Sequence, residues 1–171
     1  MLENAFWIPL IPLILAFVIL LLGKESERSP LPYLGILGMG WCFVHASILF
    51  YKALTHSLHL PYYKTIPWFS FGDFEMTLGV LIDGPCVTLL FVVTLVSLLV
   101  QIYSLGYMKG DKRLKRYYAY LSFFTAAMLG LVISSNLFVL FACWELVGVS
   151  SYLLIGFWFE KPGPAYASKK A

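Results

Sequence analysis

Five stretches of the chain are apolar for the length that a helix needs to cross a bilayer, roughly 20 residues with a range of about 17–25. They fall at about Ala5–Leu22, Leu31–Leu54, Gly84–Tyr107, Leu114–Ile133 and Asn136–Phe159. Their ends carry matching punctuation. Pro9 and Pro12 occupy the first turns of the first stretch, where proline is most easily accommodated. Asp83 is placed to cap the third, with Pro85 in its first turn. Ser134-Ser135-Asn136 leaves only a tight turn before the fifth, which predicts an antiparallel pair of helices. Between the second and third stretches the period changes. In "IPWFSFGDFEMTLGVLID", Phe74, Met76, Leu78, Val80 and Ile82 take alternate positions, with Glu75, Thr77 and Gly79 between them. Period two is the mark of a strand, and Gly72-Asp73 suits a two-residue hairpin turn. The pattern therefore predicts an all-α membrane protein: five transmembrane helices with a short outer β-hairpin between helices two and three. Three regions follow: 1–60 with two N-terminal helices, 61–113 with the hairpin and third helix, and 114–171 with helices four and five.

Composition supports lipid as the solvent. The 171 residues are 60% hydrophobic and 18% aromatic, with only 12% charged. A soluble domain carries about 25% charged residues, and one of this size has no room to bury so much apolar surface. The apolar N-terminus lacks a positive leader and carries Glu3 as its only early charge, so it reads as a retained helix rather than a signal peptide. Cys42, Cys86 and Cys143 lie far apart in apolar runs, as small packing residues do. The chain has no Cys/His cluster, phosphate loop, haem-attachment motif or catalytic triad pattern. It also lacks the basic face on a soluble fold that nucleic-acid binding requires, so nucleic acid is not expected as a partner.

Charge sets an orientation. Lys24, Arg28, Lys109, Lys112, Arg113, Lys115, Arg116, Lys161, Lys169 and Lys170 fall on one side of the five-span arrangement, and Lys52 and Lys64 on the other. The excess of Lys and Arg marks the cytoplasmic side, which predicts an outside N-terminus and an inside C-terminus. The outer aromatics Tyr62, Tyr63, Trp68, Phe69 and Phe71 suit an interfacial anchor or a partner protein.

One residue breaks the pattern. Glu145 is the only acid well inside a span, nine residues from Asn136, which is roughly 13 Å deep at 1.5 Å per residue. A charge at a helix centre costs about 2.5–3.5 kcal/mol on insertion scales. The carboxyl is therefore either protonated or ionised opposite a cation from another helix. A group balanced between those states has the property a proton relay needs. A static carboxyl bonded to a neighbouring helix is the plainer reading. Ala142, Glu145, Gly148, Val149, Tyr152 and Gly156 share one helical face, and Tyr152 offers a hydroxyl two turns on. Helix three carries its own polar face, Thr94, Ser97, Gln101 and Ser104, for which interhelical hydrogen bonding or a water path are the two readings. Gln101 joins Tyr152 as an accessory polar candidate. Ser122 and Thr125 on helix four are similar, and His45 lies mid-span in helix two as a packing residue or a proton carrier.

"WELVGVSSYLLIGFWF" at 144–159, Ile82-Asp83-Gly84, "SLGYM" at 104–108, the "WFSFGDF" hairpin, Arg116-Tyr117-Tyr118-Ala119-Tyr120 and Ser135-Asn136-Leu137 together resemble the start of the L-type subunit, chain 5, of NADH-quinone oxidoreductase (respiratory complex I). The same subunit occurs in chloroplast-type NAD(P)H dehydrogenases. The resemblance implies a proton-pumping, antiporter-like membrane subunit, with 61–113 as the chain-5 N-terminal region and 114–171 as the start of the antiporter-like core. It implies that Glu145, as the Glu of the W-E motif, is a functional residue. The family pairs that residue with a lysine on a later helix and continues proton transfer along a midplane row of lysines and histidines. Those positions lie outside these 171 residues, so the resemblance implies a fragment or the product of a truncated or split gene. The expected partners are the lipid bilayer, other membrane subunits of complex I and a chain that supplies the remaining antiporter helices. NAD, FMN, iron–sulfur and quinone sites are expected on other subunits, with no cofactor or metal in this chain. A bacterial inner membrane is the expected location. Subunits of multi-subunit cation/proton antiporters and some membrane hydrogenases share the signature, and a non-transporting membrane fragment is the third reading.

Overall fold

The computed structural model describes residues 2–22, 30–72 and 74–170. A 3₁₀ turn at Leu2–Asn4 leads into α1 (Trp7–Leu22), followed by α2 (Leu31–Leu54). The strands β1 (Tyr62–Phe71) and β2 (Phe74–Ile82) come next, then α3 (Gly84–Tyr107), α4 (Leu114–Val132), α5 (Leu137–Ile155) and α6 (Pro162–Lys170). Four helices are long and apolar enough to cross a membrane: the segment Leu2–Leu22, α2, α3 and α5. The protein is an integral membrane protein. α4 spans 19 residues, within crossing length, but Lys115, Arg116, three tyrosines, Ser122 and Thr125 dilute its apolarity. Its position accounts for that composition. α4 packs against α1, α2, α3 and α5, so its polar groups face protein rather than lipid, as polar groups in spans do.

The ends of α2 and α3 fall where the sequence punctuation places them. Asp83 caps α3, its carboxylate accepting the Cys86 N–H at 2.8 Å. Asn136 caps α5 in the same way, accepting the Val139 N–H at 2.8 Å. α5 ends at Ile155 rather than Phe159, with Gly156 at its C-cap. The aromatic run that follows leaves the helix axis. The tail, expected only as a basic extension, forms α6 with Pro162 at its first position, where the missing N–H costs nothing.

The antiparallel hairpin runs from Tyr62↔Ile82 to Phe71↔Phe74, with a register shift between Pro67 and Phe69 that leaves Trp68 as a bulge. Gly72 takes φ +58° at the turn, as a two-residue hairpin loop requires; Asp73 lies outside the described residues, as do Lys24 and Arg28. The outer edge of β2 is closed by the α4–α5 turn. The Leu81 N–H donates to the Ile133 carbonyl at 2.9 Å, Val80 bridges Ser134, and the Asn136 amide donates to the Thr77 carbonyl at 2.6 Å. Gly79 sits between these bonds. A Cβ there would overlap the Ser135 hydroxyl and stand 2.7 Å from the Thr65 methyl and 3.0 Å from the Lys64 carbonyl. Only a glycine lets the strand lie this close to the turn. An edge strand that would otherwise present free backbone groups is thereby covered.

The main core lies toward this end and draws on the N-terminal segment, α2, β2, α3 and α4, through Ile8, Met39, Cys42, Leu49, Ile82, Leu90 and Leu129. Below it the α3–α4 seam is polar. The Ser97 and Thr125 hydroxyls meet at 3.1 Å. The Tyr118 hydroxyl donates to the Gln101 carbonyl at 2.7 Å, and Ser104 and Tyr117 bond at 3.0 Å. Ser97 and Ser104 of the helix-three polar face thus bond across to α4, while the Thr94 hydroxyl donates within its own helix to the Leu90 carbonyl at 2.7 Å.

Candidate functional site

Glu145 lies eight residues into a 19-residue helix, about 12 Å from one end and 15 Å from the other. α5 packs on α4 and α6 and buries only Ser150. The face carrying Ala142, Glu145, Gly148, Val149 and Tyr152 is exposed along its length. Sequence periodicity places these residues together with Gly156, and the structure keeps the first five on one face directed outward from the described helices, while Gly156 is half-buried against Ser168 of α6. Trp144 and Leu146 beside Glu145 are exposed as well, so the carboxyl stands in an apolar surround at mid-depth. Among the described residues it has no ion-pair or hydrogen-bond partner; the ion pairs there join Arg113 to Asp111 and to Glu160. Lipid against an ionised Glu145 would cost about 2.5–3.5 kcal/mol. Protein or water against this face removes that cost, and the small Gly148 leaves room for either.

The other two candidates are not brought to Glu145. Tyr152 shares its face but lies seven residues away, about 10 Å along the axis, too far for a direct hydrogen bond. Gln101 is fully buried. Its carboxamide points toward Gly35 of α2, whose Cβ position would lie 3.4 Å from Gln101 Oε1. Neither amide atom has a hydrogen-bond partner among the described residues, and the same holds for the Ser122 hydroxyl. His45 packs its ring on Trp41 with centroids 5.1 Å apart. The three cysteines are free, and no group of His, Cys, Asp and Glu among the described residues is arranged to hold a metal.

A second cluster, absent from the sequence-derived candidates, ties the α3–α4 loop to the end of α5. The Asp111 carboxylate accepts the Arg113 N–H at 2.8 Å and the Trp158 indole N–H at 3.0 Å. Arg113 bonds Glu160 at 3.3 Å and lies over the Phe157 and Phe159 rings at 5.6 and 5.5 Å. Partial burial pushes the Asp111 carboxyl up, but the two N–H donors and the Arg113 charge outweigh it and hold the group below the usual carboxylate range. The residues are 47 apart in sequence, so no local motif marks them. This clamp fixes the basic end of α5, and Asn136 fixes the other. The helix that carries Glu145 is therefore pinned at both ends, with its Glu145 face uncovered between.

Residues 68–118 match the family model described as NADH-Ubiquinone oxidoreductase (complex I), chain 5 N-terminus. Across 99% of its length the chain is 39% identical to the NAD(P)H-quinone oxidoreductase subunit 5 of the chloroplast of Zygnema circumcarinatum and 40% identical to the chain 5 of Synechocystis. It spans 25% of each of those relatives. In structure, a chain of the archaeal membrane-bound sulfane sulfur reductase, a respiratory membrane complex, matches with a TM-score of 0.79 over 98% of this chain and 33% of its own, at 20% identity. That likeness speaks to the fold alone. The family match covers most of the hairpin, α3 and the start of α4, and the relatives extend the similarity through α5 and Glu145; the chain is similar over nearly its whole length to the N-terminal region of chain 5 of complex I.

Proposed function

We propose that this chain forms the first helices of the proton-translocating membrane subunit of an NAD(P)H-quinone oxidoreductase, with Glu145 as an intramembrane proton site. The observation that carries the reading is the position of Glu145: mid-depth, on a small-residue face that none of the described helices covers. A carboxyl there needs a facing cation or proton, and a facing group that moves would make it take up and release a proton. The relatives extend well beyond the segment matched here, and further helices of such a subunit are the natural source of the covering face. Nicotinamide, flavin, iron–sulfur and quinone chemistry then belongs to other subunits, and the partners are the membrane subunits of the same complex. Charge supports an orientation with the α3–α4 loop and α6 on the cytoplasmic side of a bacterial-type inner membrane.

The test is Glu145→Gln in the full-length subunit within the assembled complex. The isosteric amide keeps the volume and removes the titratable proton. NAD(P)H-driven proton uptake into vesicles should fall by at least tenfold while subunit abundance stays normal, and Glu145→Asp should retain part of the activity. Undiminished pumping by Glu145→Gln would remove the proposal. Proton flux that depends on sodium or potassium and needs neither nicotinamide nor quinone would assign the chain to a cation/proton antiporter instead.

A further inference from the structure

One face of the hairpin begins in the core and ends outside it. Tyr62, Lys64 and Ile66 of β1 pair with Ile82, Val80 and Leu78 of β2, and alternation puts all six on the same face. Ile82 is fully buried, and Tyr62 and Val80 pack against the core. Farther along the strands, Lys64, Ile66 and Leu78 are exposed. They overhang a pocket of about 350 Å³.

Three other parts of the chain close that pocket. Phe6, Pro9 and Leu10 of the N-terminal segment form one wall, and Ile133 and Val139 line it on either side of the α4–α5 turn. Gly130 and Cys143 line it where α4 and α5 meet; a Cβ on Gly130 would stand 3.1 Å from the Cys143 Sγ. Cys143 is six residues into α5, roughly 9 Å from the helix start. The pocket thus runs from the hairpin, outside the helix ends, to side chains within the span.

Its polarity is divided. The lining side chains are apolar except for Tyr62, Cys143 and two charges, Glu3 and Lys64. Both charged residues are exposed, so they stand at the mouth. Glu3 comes from the turn Leu2–Asn4 ahead of α1, and Lys64 from β1. Neither side chain has an ion-pair or hydrogen-bond partner among the described residues. A hydrocarbon chain alone would leave both charges without a counter-ion. An anionic headgroup would suit Lys64 and be repelled by Glu3, and a cationic one the reverse. A small zwitterion without a tail would leave the apolar walls uncovered.

We infer that this pocket binds a zwitterionic phospholipid, its phosphate at Lys64, its ammonium at Glu3 and part of one acyl chain against Phe6, Leu10 and Val139. Cys143, on the pocket side of α5, is two residues from Glu145, about 200° around the helix. The site therefore lies on the side of α5 away from Glu145 and stands whether or not Glu145 moves protons.

The experiment is native mass spectrometry of the full-length subunit titrated with phosphatidylethanolamine or phosphatidylglycerol of the same acyl chains. The wild type should retain phosphatidylethanolamine in preference. Lys64→Gln should weaken it about fivefold. Glu3→Gln should weaken phosphatidylethanolamine and strengthen phosphatidylglycerol, each by up to about fivefold, and so invert the preference. Leu10→Trp, which fills the pocket and leaves both charges in place, should lose both lipids. A second readout needs no variant: alkylation of Cys143 by N-ethylmaleimide, located by peptide mapping, should slow when phosphatidylethanolamine is added. Equal or reversed preference in the wild type would overturn the assignment, as would a Glu3→Gln variant with the wild-type preference. Retention of neither lipid, with Cys143 protected throughout, would show that protein covers the pocket and would overturn it too.

Discussion

Asn136 holds two elements at once, which makes its replacement informative. Its Oδ1 accepts the Val139 N–H at 2.8 Å and caps α5, while its Nδ2 donates to the Thr77 carbonyl at 2.6 Å and anchors β2. Replacing an N-cap Asn by Ala costs about 1 kcal/mol. Losing the second bond costs about 1 kcal/mol more, rising toward 3 if the Thr77 carbonyl is left without a partner. Asn136→Ala should therefore destabilise this end by about 2–4 kcal/mol. Asn136→Asp keeps the capping oxygen and gains about 0.3–1 kcal/mol from the helix dipole, but it presents an acceptor to the Thr77 carbonyl. Its net loss should be about 1 kcal/mol, confined to the hairpin. Amide hydrogen exchange reads the two elements separately. Leu81, whose N–H bonds Ile133, should exchange faster in both variants, about fivefold per kcal/mol. The first-turn amides of α5 should exchange faster only in the Ala variant. If Asn136→Asp frays α5 as far as Asn136→Ala does, or if neither changes Leu81, the reasoning about the shared anchor fails.

Three further perturbations test the packing. Gly79→Ala should cost about 1–3 kcal/mol by overpacking, because its Cβ would meet the Lys64 carbonyl and the Thr65 methyl; denaturant unfolding in mild detergent would show no shift if the β2 edge were loosely held. Asp111→Asn should lose about 1–2 kcal/mol from the clamp at neutral pH. Because the folded Asp111 carboxyl is depressed, its contribution is complete above the unfolded value of about 3.9 and disappears as pH falls through the lower folded value; thermal unfolding from pH 6 downward should show the variant and wild type converging. Gln101→Leu removes a buried carboxamide that has no partner among the described residues, so stability should be unchanged or raised by up to about 2 kcal/mol; a clear loss in the same assay would contradict that placement.

The legible parts of the fold were those with both a pattern and punctuation. α2 and α3 run from Leu31 to Leu54 and from Gly84 to Tyr107, the limits that apolar length prescribes for both and Asp83 with Pro85 for the start of α3. Alternation from Phe74 to Ile82 marked β2, and the spacing of Thr94, Ser97, Gln101 and Ser104 marked a helix-facing polar stripe. The end of α5 was misplaced by four residues because Phe157, Trp158 and Phe159 are as apolar as the helix before them. Their destination is the Asp111–Arg113 loop, a contact that only the tertiary arrangement creates. α6 begins with a proline and is short, and its polar sequence resembles any basic tail. For the candidate site, the sequence located Glu145 in depth and among its small neighbours. It did not say that the face is uncovered, because α5 is apolar on all sides and carries no stripe to tell core from surface. Nor did it separate Gln101 from Glu145; both read as polar groups in spans until packing put one inside the bundle and the other on its surface.

The account stands most directly on whether Glu145 changes its protonation state during turnover. Infrared difference spectroscopy on the assembled complex, with the full-length subunit, reads the carboxyl C=O band as it appears and disappears. The account predicts a turnover-dependent carboxyl signal in the wild type that is shifted in Glu145→Asp and absent in Glu145→Gln. An unchanged difference signal in Glu145→Gln, with pumping intact, would contradict it.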